Sequence, residues 1–197
     1  MINFSLFKKL IFEAEDKDKV AVVAFGRLNP PTKGHLKLMN KLVELAKKYK
    51  GKAILFTSHS QDPKKNPLQY KDKLEYITSE APDGLNVADT NAKTVFQMLE
   101  VLSKLHFTSV YFVAGSDRLQ EYKRLEKYAP ELGIRHYEVV SAGERDPDSD
   151  DVSGMSASKL RKYASDGNFE EFKKGALCTG ARCKQLYNDV RKGMNLE

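Results

Sequence analysis

Short apolar, β-branched runs alternate with helical patterns along most of this chain. Five runs have the length and composition of strands: VAVVAF (20–25), AILFTS (53–58), LNVAD (85–89, the weakest), SVYFVAG (109–115) and RHYEVVSA (135–142). Strands this apolar, separated by helices, are typical of a parallel sheet that is buried on both faces. The sequence therefore predicts an α/β fold, with helices covering both faces of an open parallel sheet.

The helical patterns place apolar residues three and four positions apart. They run from Leu36 to Ala46, from Tyr70 to Ile77, from Val95 to Leu105, and over 156–165, 168–174 and 180–192. The polar run DPDSDD (146–151) is typical of a mobile surface loop. A length of 197 residues suits one domain, which we place at 20–197 after an N-terminal appendage at 1–19.

The composition is that of a soluble protein. Hydrophobic residues make up 41% and charged residues 30%, and no stretch reaches the roughly 18–20 apolar residues that a membrane span needs. We therefore expect a cytoplasmic location. A net charge of +6, from 33 basic and 27 acidic residues, suits an anionic small molecule. Because the basic residues form no stripe, nucleic acid is an unfavoured partner.

Two cysteines, Cys178 and Cys183, lie in the run CTGARC. Two are too few for a disulfide framework, and no second His or Cys pair completes a zinc site. We therefore expect both to be free thiols.

The run GRLNPPTKGH (26–35) joins the first strand to the first helix. Gly26 lets the backbone approach a bound group, and Gly34 clears space beside the helix start. The free amides of the first helical turn attract an anion, and His35 on that turn can donate a hydrogen bond to a phosphate oxygen. Thr32 can place a hydroxyl beside it. The alternative is a proline turn with a helix cap.

A second polar run, SASKLR (156–161), enters a later helix. Ser156 or Ser158 would cap this helix, and Lys159 and Arg161 put cations on the same turn. The alternative is an ordinary capped surface helix.

Together, GRLNPPTKGH and SASKLR resemble the paired signature of the adenylyl- and cytidylyltransferase superfamily, G-x-F-x-P-x-(H/T)-x-G-H and I-S-S-T-x-x-R. More closely, the chain resembles archaeal-type nicotinamide mononucleotide adenylyltransferases over residues 20–175. The initial Gly-Arg, the run SHSQDPKKNPLQYKDK (58–73) and the run SDGNFEEF (165–172) carry this likeness. The resemblance implies a Rossmann-like nucleotidyltransferase fold.

For ATP, the resemblance implies a triphosphate clamp. His35 would contact the α-phosphate, Thr32 takes the place of the superfamily's first His, and Arg161 would hold the β- and γ-phosphates. The other implied ATP-binding residues are Gly26, Arg27, Asn29, Gly34, Ser156 and Ser158. Mg²⁺ is expected with ATP, held mainly by phosphates and waters, so no dedicated protein ligands are assigned.

For the acceptor, the resemblance implies Ser58, His59, Asn66, Gly115, Asp117 and Phe96. Phe96 would stack on a nicotinamide ring where relatives often use Trp, although a Phe on a helix face is usually core. Gly115 to Asp117 also fit a plain strand-end turn. The expected reaction is AMP transfer to nicotinamide mononucleotide, giving NAD and pyrophosphate. Adenylyl or cytidylyl transfer to another phosphomonoester, such as pantetheine phosphate, and a non-catalytic nucleotide-binding module stay open.

The first residues, MINFSLFKKLIFEAE (1–15), have the spacing of a short amphipathic helix. They also resemble capsid-targeting segments of tailed-phage head proteins, which are trimmed after a tripeptide matched here by Ile11 to Glu13. This resemblance implies a phage enzyme that acts in the host cytoplasm and is packaged in the phage head. At the other end, Leu186, Val190 and Met194 lie four apart and would pack on the chain's own core or on an identical chain.

Overall fold

The computed structural model describes residues 19–143 and 155–196. The N-terminal segment and the run at 146–151 lie outside the described residues, so the targeting and loop hypotheses stay predictions. The described residues form two compact units. We call one the sheet unit (19–26, 38–58 and 82–143) and the other the helical unit (27–37, 59–81 and 155–196). Within these residues, no helix combines the length and the apolar character needed to cross a membrane.

The sheet unit contains five parallel strands in the order β3-β2-β1-β4-β5. The strands are β1 Val20–Gly26, β2 Lys52–Thr57, β3 Leu85–Val87, β4 Ser109–Ala114 and β5 His136–Ser141. Each coincides closely with a run predicted from the sequence, and the predicted α/β fold class is confirmed.

Strand β1 lies at the centre of the sheet and pairs with β2 and β4. The chain first builds outward through β2 and β3, and then returns to place β4 on the other side of β1. The strand order therefore reverses between β1 and β4, and open parallel sheets bind ligands beside such a reversal, at the carboxyl ends of the strands. At that end, the Ser58 N–H donates to the Gly26 carbonyl over 2.9 Å.

Both faces of the sheet are buried. On one face, Val23 and Phe56 pack in a core with Met98 and Leu102, which lie on the helix Val95–Lys104. Because side chains alternate along a strand, Val22 faces the other way, and it too is fully buried. The helices whose residues belong wholly or mainly to the sheet unit are α1 (Lys33–Lys48), α3 (Val95–Lys104) and α4 (Leu119–Lys123).

The sequence patterns do not predict the structure between β4 and β5. This stretch forms α4 and three single-turn 3₁₀ helices, Ser116–Arg118, Glu126–Tyr128 and Pro130–Leu132. Such short pieces have no apolar periodicity to detect. Tyr122 anchors the stretch, since it is buried and its carbonyl accepts from the Tyr137 hydroxyl over 3.1 Å.

The helical unit has a core of its own. Its helices are α2 (Tyr70–Ser79), α5 (Ala157–Ser165), α6 (Phe169–Gly175) and α7 (Arg182–Gly193), and each lies within a predicted pattern or extends it by a residue or two. Leu186 and Val190 of α7 are buried in this core, and Met194 packs against it. Of the two options for this apolar stripe, packing on the chain's own core is confirmed.

The expectation of free thiols is wrong, because Cys178 and Cys183 form a disulfide. The two residues are 5 positions apart, and their Cα atoms lie 5.1 Å from each other. Gly180, with φ of 53°, turns the chain back between them. The spacing of the two cysteines in the sequence does not predict this turn, so it does not predict that their Cα atoms lie close together.

Replacing both cysteines, as C178S/C183S, should lower the free energy of unfolding by about 2 kcal/mol in the absence of reductant, because a small closed loop is opened in the unfolded chain. Urea titrations with and without dithiothreitol measure this. In dithiothreitol the wild type and the variant should be equally stable. Equal stability without reductant would contradict a disulfide in solution.

Candidate active site

The segment Arg27–His35, which we call the phosphate loop after the role that the sequence predicts for it, connects β1 to α1. Leu28 adopts a left-handed φ of 44°, and the Asn29–Pro30 peptide is cis. A second segment pairs with this loop, since the Leu177 N–H donates to the Pro31 carbonyl over 3.1 Å and Thr32 forms an antiparallel bridge with Ala176. Backbone hydrogen bonds from residues that are remote in sequence but belong to the same helical unit therefore hold the loop in shape.

His35 lies in the first turn of α1 and is oriented by Thr32. The backbone N–H of Thr32 donates to Nδ1 of His35 over 2.9 Å, and the Thr32 hydroxyl lies 3.1 Å from the same nitrogen. A backbone N–H can only donate, so Nδ1 must accept. The neutral imidazole then carries its proton on Nε2, which makes Nε2 a hydrogen-bond donor.

Thr32 itself is only 1% exposed. Its hydroxyl also lies 3.3 Å from the His35 backbone nitrogen, so both of these side-chain contacts are with that residue. The resemblance gives Thr32 the place of the first His of the superfamily motif. The structure instead puts its side chain against His35, where it fixes the orientation of that ring.

Arg161 is held beside the phosphate loop by two hydrogen bonds. Ser156 caps α5 by accepting from the Lys159 N–H over 3.1 Å, which orients the first turn of that helix. From this turn, the Arg161 guanidinium donates to the Asn29 carbonyl over 2.8 Å and to the Ser158 hydroxyl over 3.0 Å. Of the two serines predicted to cap the helix, Ser156 is the cap and Ser158 contacts Arg161.

The surroundings of Arg161 favour an anion. Desolvation lowers the pKa of its guanidinium, repulsion from Arg27 lowers it further, and attraction by Asp62 acts in the opposite direction. Both of these hydrogen-bond acceptors of Arg161 are uncharged. A partly buried cation with a second cation nearby gains most from an anionic ligand, which removes the repulsion.

The loop 59–69 contains two predicted acceptor-binding residues. His59 stacks on Tyr70, with ring centroids 3.6 Å apart. Asp62 closes the loop by accepting from the N–H groups of Lys64 and Lys65 and from the Asn66 amide, and the Asn66 contact is the main reason that the pKa of Asp62 is lowered. The buried Oδ1 of Asn66 has no hydrogen-bond partner within the described residues. An orphaned buried acceptor of this kind suits a ligand that can donate a hydrogen bond.

Lys73 of α2 is fully buried in the structure and is not among the residues that the sequence motifs single out. Burial lowers the pKa of its ammonium to about 8. A signal is present in the sequence, because Lys73 lies three residues after Tyr70 and four before Ile77, on the apolar side of the helix. Because a lysine is rare on the apolar face of a helix, this position could have been singled out from the sequence.

The other predicted residues belong mostly to the sheet unit. Gly26 is the last residue of β1, Ser58 follows the neighbouring strand β2, and Gly115 follows β4. A Cβ on Gly115 would lie 2.7 Å from the Asp117 carboxylate, so the absence of a side chain gives that carboxylate its space. Phe96 is 39% exposed and meets Tyr128 edge to face at 5.8 Å, so it is not a core residue. Gly34, in the helical unit, occupies the first turn of α1.

The described residues contain no preformed metal site. Over residues 19–143 and 155–196, no group of three or more His, Cys, Asp or Glu side chains is arranged to hold a metal ion.

Family comparison matches residues 23–163, a span that includes the phosphate loop and Arg161, to the family described as cytidylyltransferase-like. The chain belongs to the cytidylyltransferase-like family. Membership supports adenylyl or cytidylyl transfer as the reaction class. Among curated proteins, none matches the chain in sequence.

One solved structure supports the fold, and two more are similar to a lesser degree. A Vibrio parahaemolyticus protein that carries the name nicotinate-nucleotide adenylyltransferase superposes with a TM-score of 0.57 at 15% identity, over 85% of this chain and 98% of its own. A macrolide-efflux protein from Streptococcus pneumoniae (TM-score 0.46, 17% identity) matches over 86% of this chain and 62% of its own. Thermotoga maritima TmcAL, bound with alpha-thio ATP (0.45, 13%), matches over 90% and 56%.

The buried ammonium of Lys73 should give the protein a measurable pH dependence of stability. Its pKa is about 8 in the folded protein and 10.5 in the unfolded chain, so the unfolded chain binds more protons between these values and stability rises with pH. Relative to Lys73→Met, the wild type should gain about 1.5 kcal/mol of unfolding free energy between roughly pH 8 and pH 9.5.

Urea titrations across that range measure the gain, and Lys37→Met, at an exposed position of α1, is the matched control. The control should keep the wild-type pH dependence. A difference between wild type and Lys73→Met that does not change with pH would contradict a buried ammonium.

Proposed function

We propose that the protein transfers AMP from ATP to nicotinamide mononucleotide, giving NAD and pyrophosphate. The observation that carries this proposal is that one group on the phosphate loop and one group bonded to it are both held in place. His35 is fixed as a neutral donor by the Thr32 N–H, and the Arg161 guanidinium is fixed to the Asn29 carbonyl. A neutral donor on this loop and a cation fixed to the loop backbone are suited to a phosphate chain that gains charge during reaction.

In the proposed reaction, a phosphate oxygen of the acceptor attacks the α-phosphorus of ATP in line with the departing pyrophosphate. The bond from acceptor oxygen to phosphorus forms while the bond from the α-phosphorus to the bridging oxygen breaks. The nucleophile is already an anion, so no general base is required. Catalysis then depends on positioning and on charge neutralisation.

His35 would act at the α-phosphate. Its Nε2–H would donate to a non-bridging oxygen, where negative charge accumulates in the transition state. Because Nδ1 already accepts from the backbone of Thr32, the ring cannot turn over to present an acceptor to the phosphate.

Arg161 and Arg27 would act at the β- and γ-phosphates and stabilise the leaving pyrophosphate. The N–H groups at the start of α1 add partial positive charge at the same loop. Mg²⁺ would enter as part of MgATP and neutralise the triphosphate.

The acceptor is proposed from the recognition groups of two residues. Phe96 presents an aromatic ring to solvent, which suits stacking on the nicotinamide ring. The orphaned Oδ1 of Asn66 suits a hydrogen-bond donor such as a carboxamide or a sugar hydroxyl. Pantetheine phosphate has no aromatic ring, so the exposure of Phe96 favours the nicotinamide nucleotide.

The direct test is a pyrophosphate-release assay. ATP and CTP are each offered with nicotinamide mononucleotide, nicotinate mononucleotide, pantetheine phosphate and phosphocholine. We expect release with ATP and nicotinamide mononucleotide, with NAD as the second product. Release with another acceptor would change the substrate, and release with none would overturn the enzymatic proposal.

His35→Ala should lower kcat by roughly 10²- to 10³-fold, because it removes a donor that acts in the transition state. The matched control is His136→Ala, whose ring is exposed at the start of β5 and should be within about two-fold of wild type. Steady-state pyrophosphate release measures both, with circular dichroism confirming that both fold. An active His35→Ala protein would show that the donor has been placed on the wrong residue.

Phe96→Ala should raise KM for nicotinamide mononucleotide about ten-fold while KM for ATP changes little, since stacking on one base is worth about 1–3 kcal/mol. Phe96→Tyr should restore most of the affinity. Equal KM values for wild type and Phe96→Ala would remove Phe96 from the acceptor site.

A further inference from the structure

The side chain of Asn29 makes an unusual contact for a residue on a ligand-binding loop. Its exposure is 1%. Its amide nitrogen donates to the Leu68 carbonyl over 3.0 Å, and its Oδ1 accepts from the Leu68 N–H over 2.9 Å. The side-chain amide thus pairs with the Leu68 backbone as a second backbone amide would. The two hydrogen bonds join positions 39 residues apart. The side chain therefore serves as an anchor.

The segment that receives this anchor is itself fixed. Leu68 is buried in the core of the helical unit. A Cβ on Gly193 would lie only 2.1 Å from the Pro67 carbonyl oxygen, so the end of α7 packs directly against the backbone next to Leu68. Asp62 and Asn66 exchange two backbone hydrogen bonds that close the loop just before this segment. Asn29 is thus tied to a part of the unit with little freedom to move.

The backbone carbonyl of the same residue receives the Arg161 guanidinium over 2.8 Å. One residue therefore carries both the anchor to Leu68 and the acceptor for Arg161. If the side chain were released, rotation of the Asn29 backbone would turn the carbonyl away from Arg161. The Ser158 hydroxyl would remain, but a single bond leaves the guanidinium free to pivot.

We propose that Asn29 is a positioning residue that holds Arg161 for the triphosphate through its own carbonyl, with the Leu68 contact as the anchor. This inference rests on the proposed function and assigns Asn29 a role other than the direct ATP contact implied by resemblance. One amide hydrogen and the Oδ1 atom are engaged by Leu68, and the side chain is almost wholly buried.

The test is a double-mutant cycle on ligand binding, which needs no turnover. Binding of inorganic tripolyphosphate to the full-length protein is measured by calorimetry for wild type, Asn29→Ala, Arg161→Ala and the double variant. We expect about a ten-fold loss of affinity for each single variant, and for the double variant no more than about two-fold beyond Arg161→Ala alone. Losses that multiply in the double variant would overturn the proposal.

A matched control and a second variant keep the test independent of folding. Asn86→Ala also removes an amide that donates to a backbone carbonyl, here that of Ala53 over 3.0 Å in the sheet unit, and should leave the affinity unchanged. Asn29→Asp keeps the acceptor for the Leu68 N–H but sets a carboxylate oxygen against the Leu68 carbonyl. It should also weaken binding, and in the cycle it should behave as Asn29→Ala does.

The wild type supplies a further measurement. If tripolyphosphate and the anchor are coupled through Arg161, binding should slow hydrogen exchange of the Leu68 amide, because coupling acts in both directions. Unchanged exchange at saturating tripolyphosphate would overturn the proposal. Should pyrophosphate release be absent while the cycle is non-additive, the proposed function fails and the positioning role stands. An active enzyme with an additive cycle would retain the proposed function and overturn the positioning role.

Discussion

The hydrogen bond from the Thr32 N–H to Nδ1 of His35 determines what the phosphate loop can do. It selects the tautomer of a neutral imidazole and leaves Nε2 as the nitrogen that carries the proton. This hydrogen bond depends on the shape of the loop, because a backbone N–H, unlike a side chain, cannot change rotamer to reach its acceptor. The pairing of Pro31 and Thr32 with residues 176–177 supplies that shape. A segment remote in sequence thereby bears on the chemistry of His35.

The hydrogen bonds of Arg161 leave its positive charge available to a ligand. Elsewhere in the helical unit, Arg182 forms an ion pair with Glu75 over 2.6 Å, which neutralises it. Arg161 instead donates to a carbonyl and a hydroxyl, which fix its direction without neutralising its charge. Desolvation and nearby Arg27 both disfavour the charged form of Arg161 and lower its pKa. An anion bound beside Arg161 would offset both of these costs.

Periodicity predicts most of the fold, because strands buried on both faces and helices with one apolar side leave a direct record in the order of residues. The pairing of GRLNPPTKGH with SASKLR likewise indicates, from the order of residues alone, which side chains we propose for phosphate binding. What the patterns miss depends on distance in space. The Cys178–Cys183 disulfide requires knowledge of the turn at Gly180, and the anchor from Asn29 to Leu68 joins positions with no shared pattern. Lys73 is visible in the sequence only as a charge on an apolar helix face.

The two halves of the proposed reaction differ in how they are encoded. A triphosphate would be recognised by positive charge and backbone N–H groups, and part of both comes from a loop whose glycines and prolines constrain its sequence strongly. An acceptor is recognised by shape and by a few polar atoms, which many residue types supply. Phe96 shows the difference, since its position on α3 resembles that of a core residue until its exposure is known. Reaction class can therefore be inferred from spacing along the chain, whereas acceptor identity depends on which side chains reach the surface.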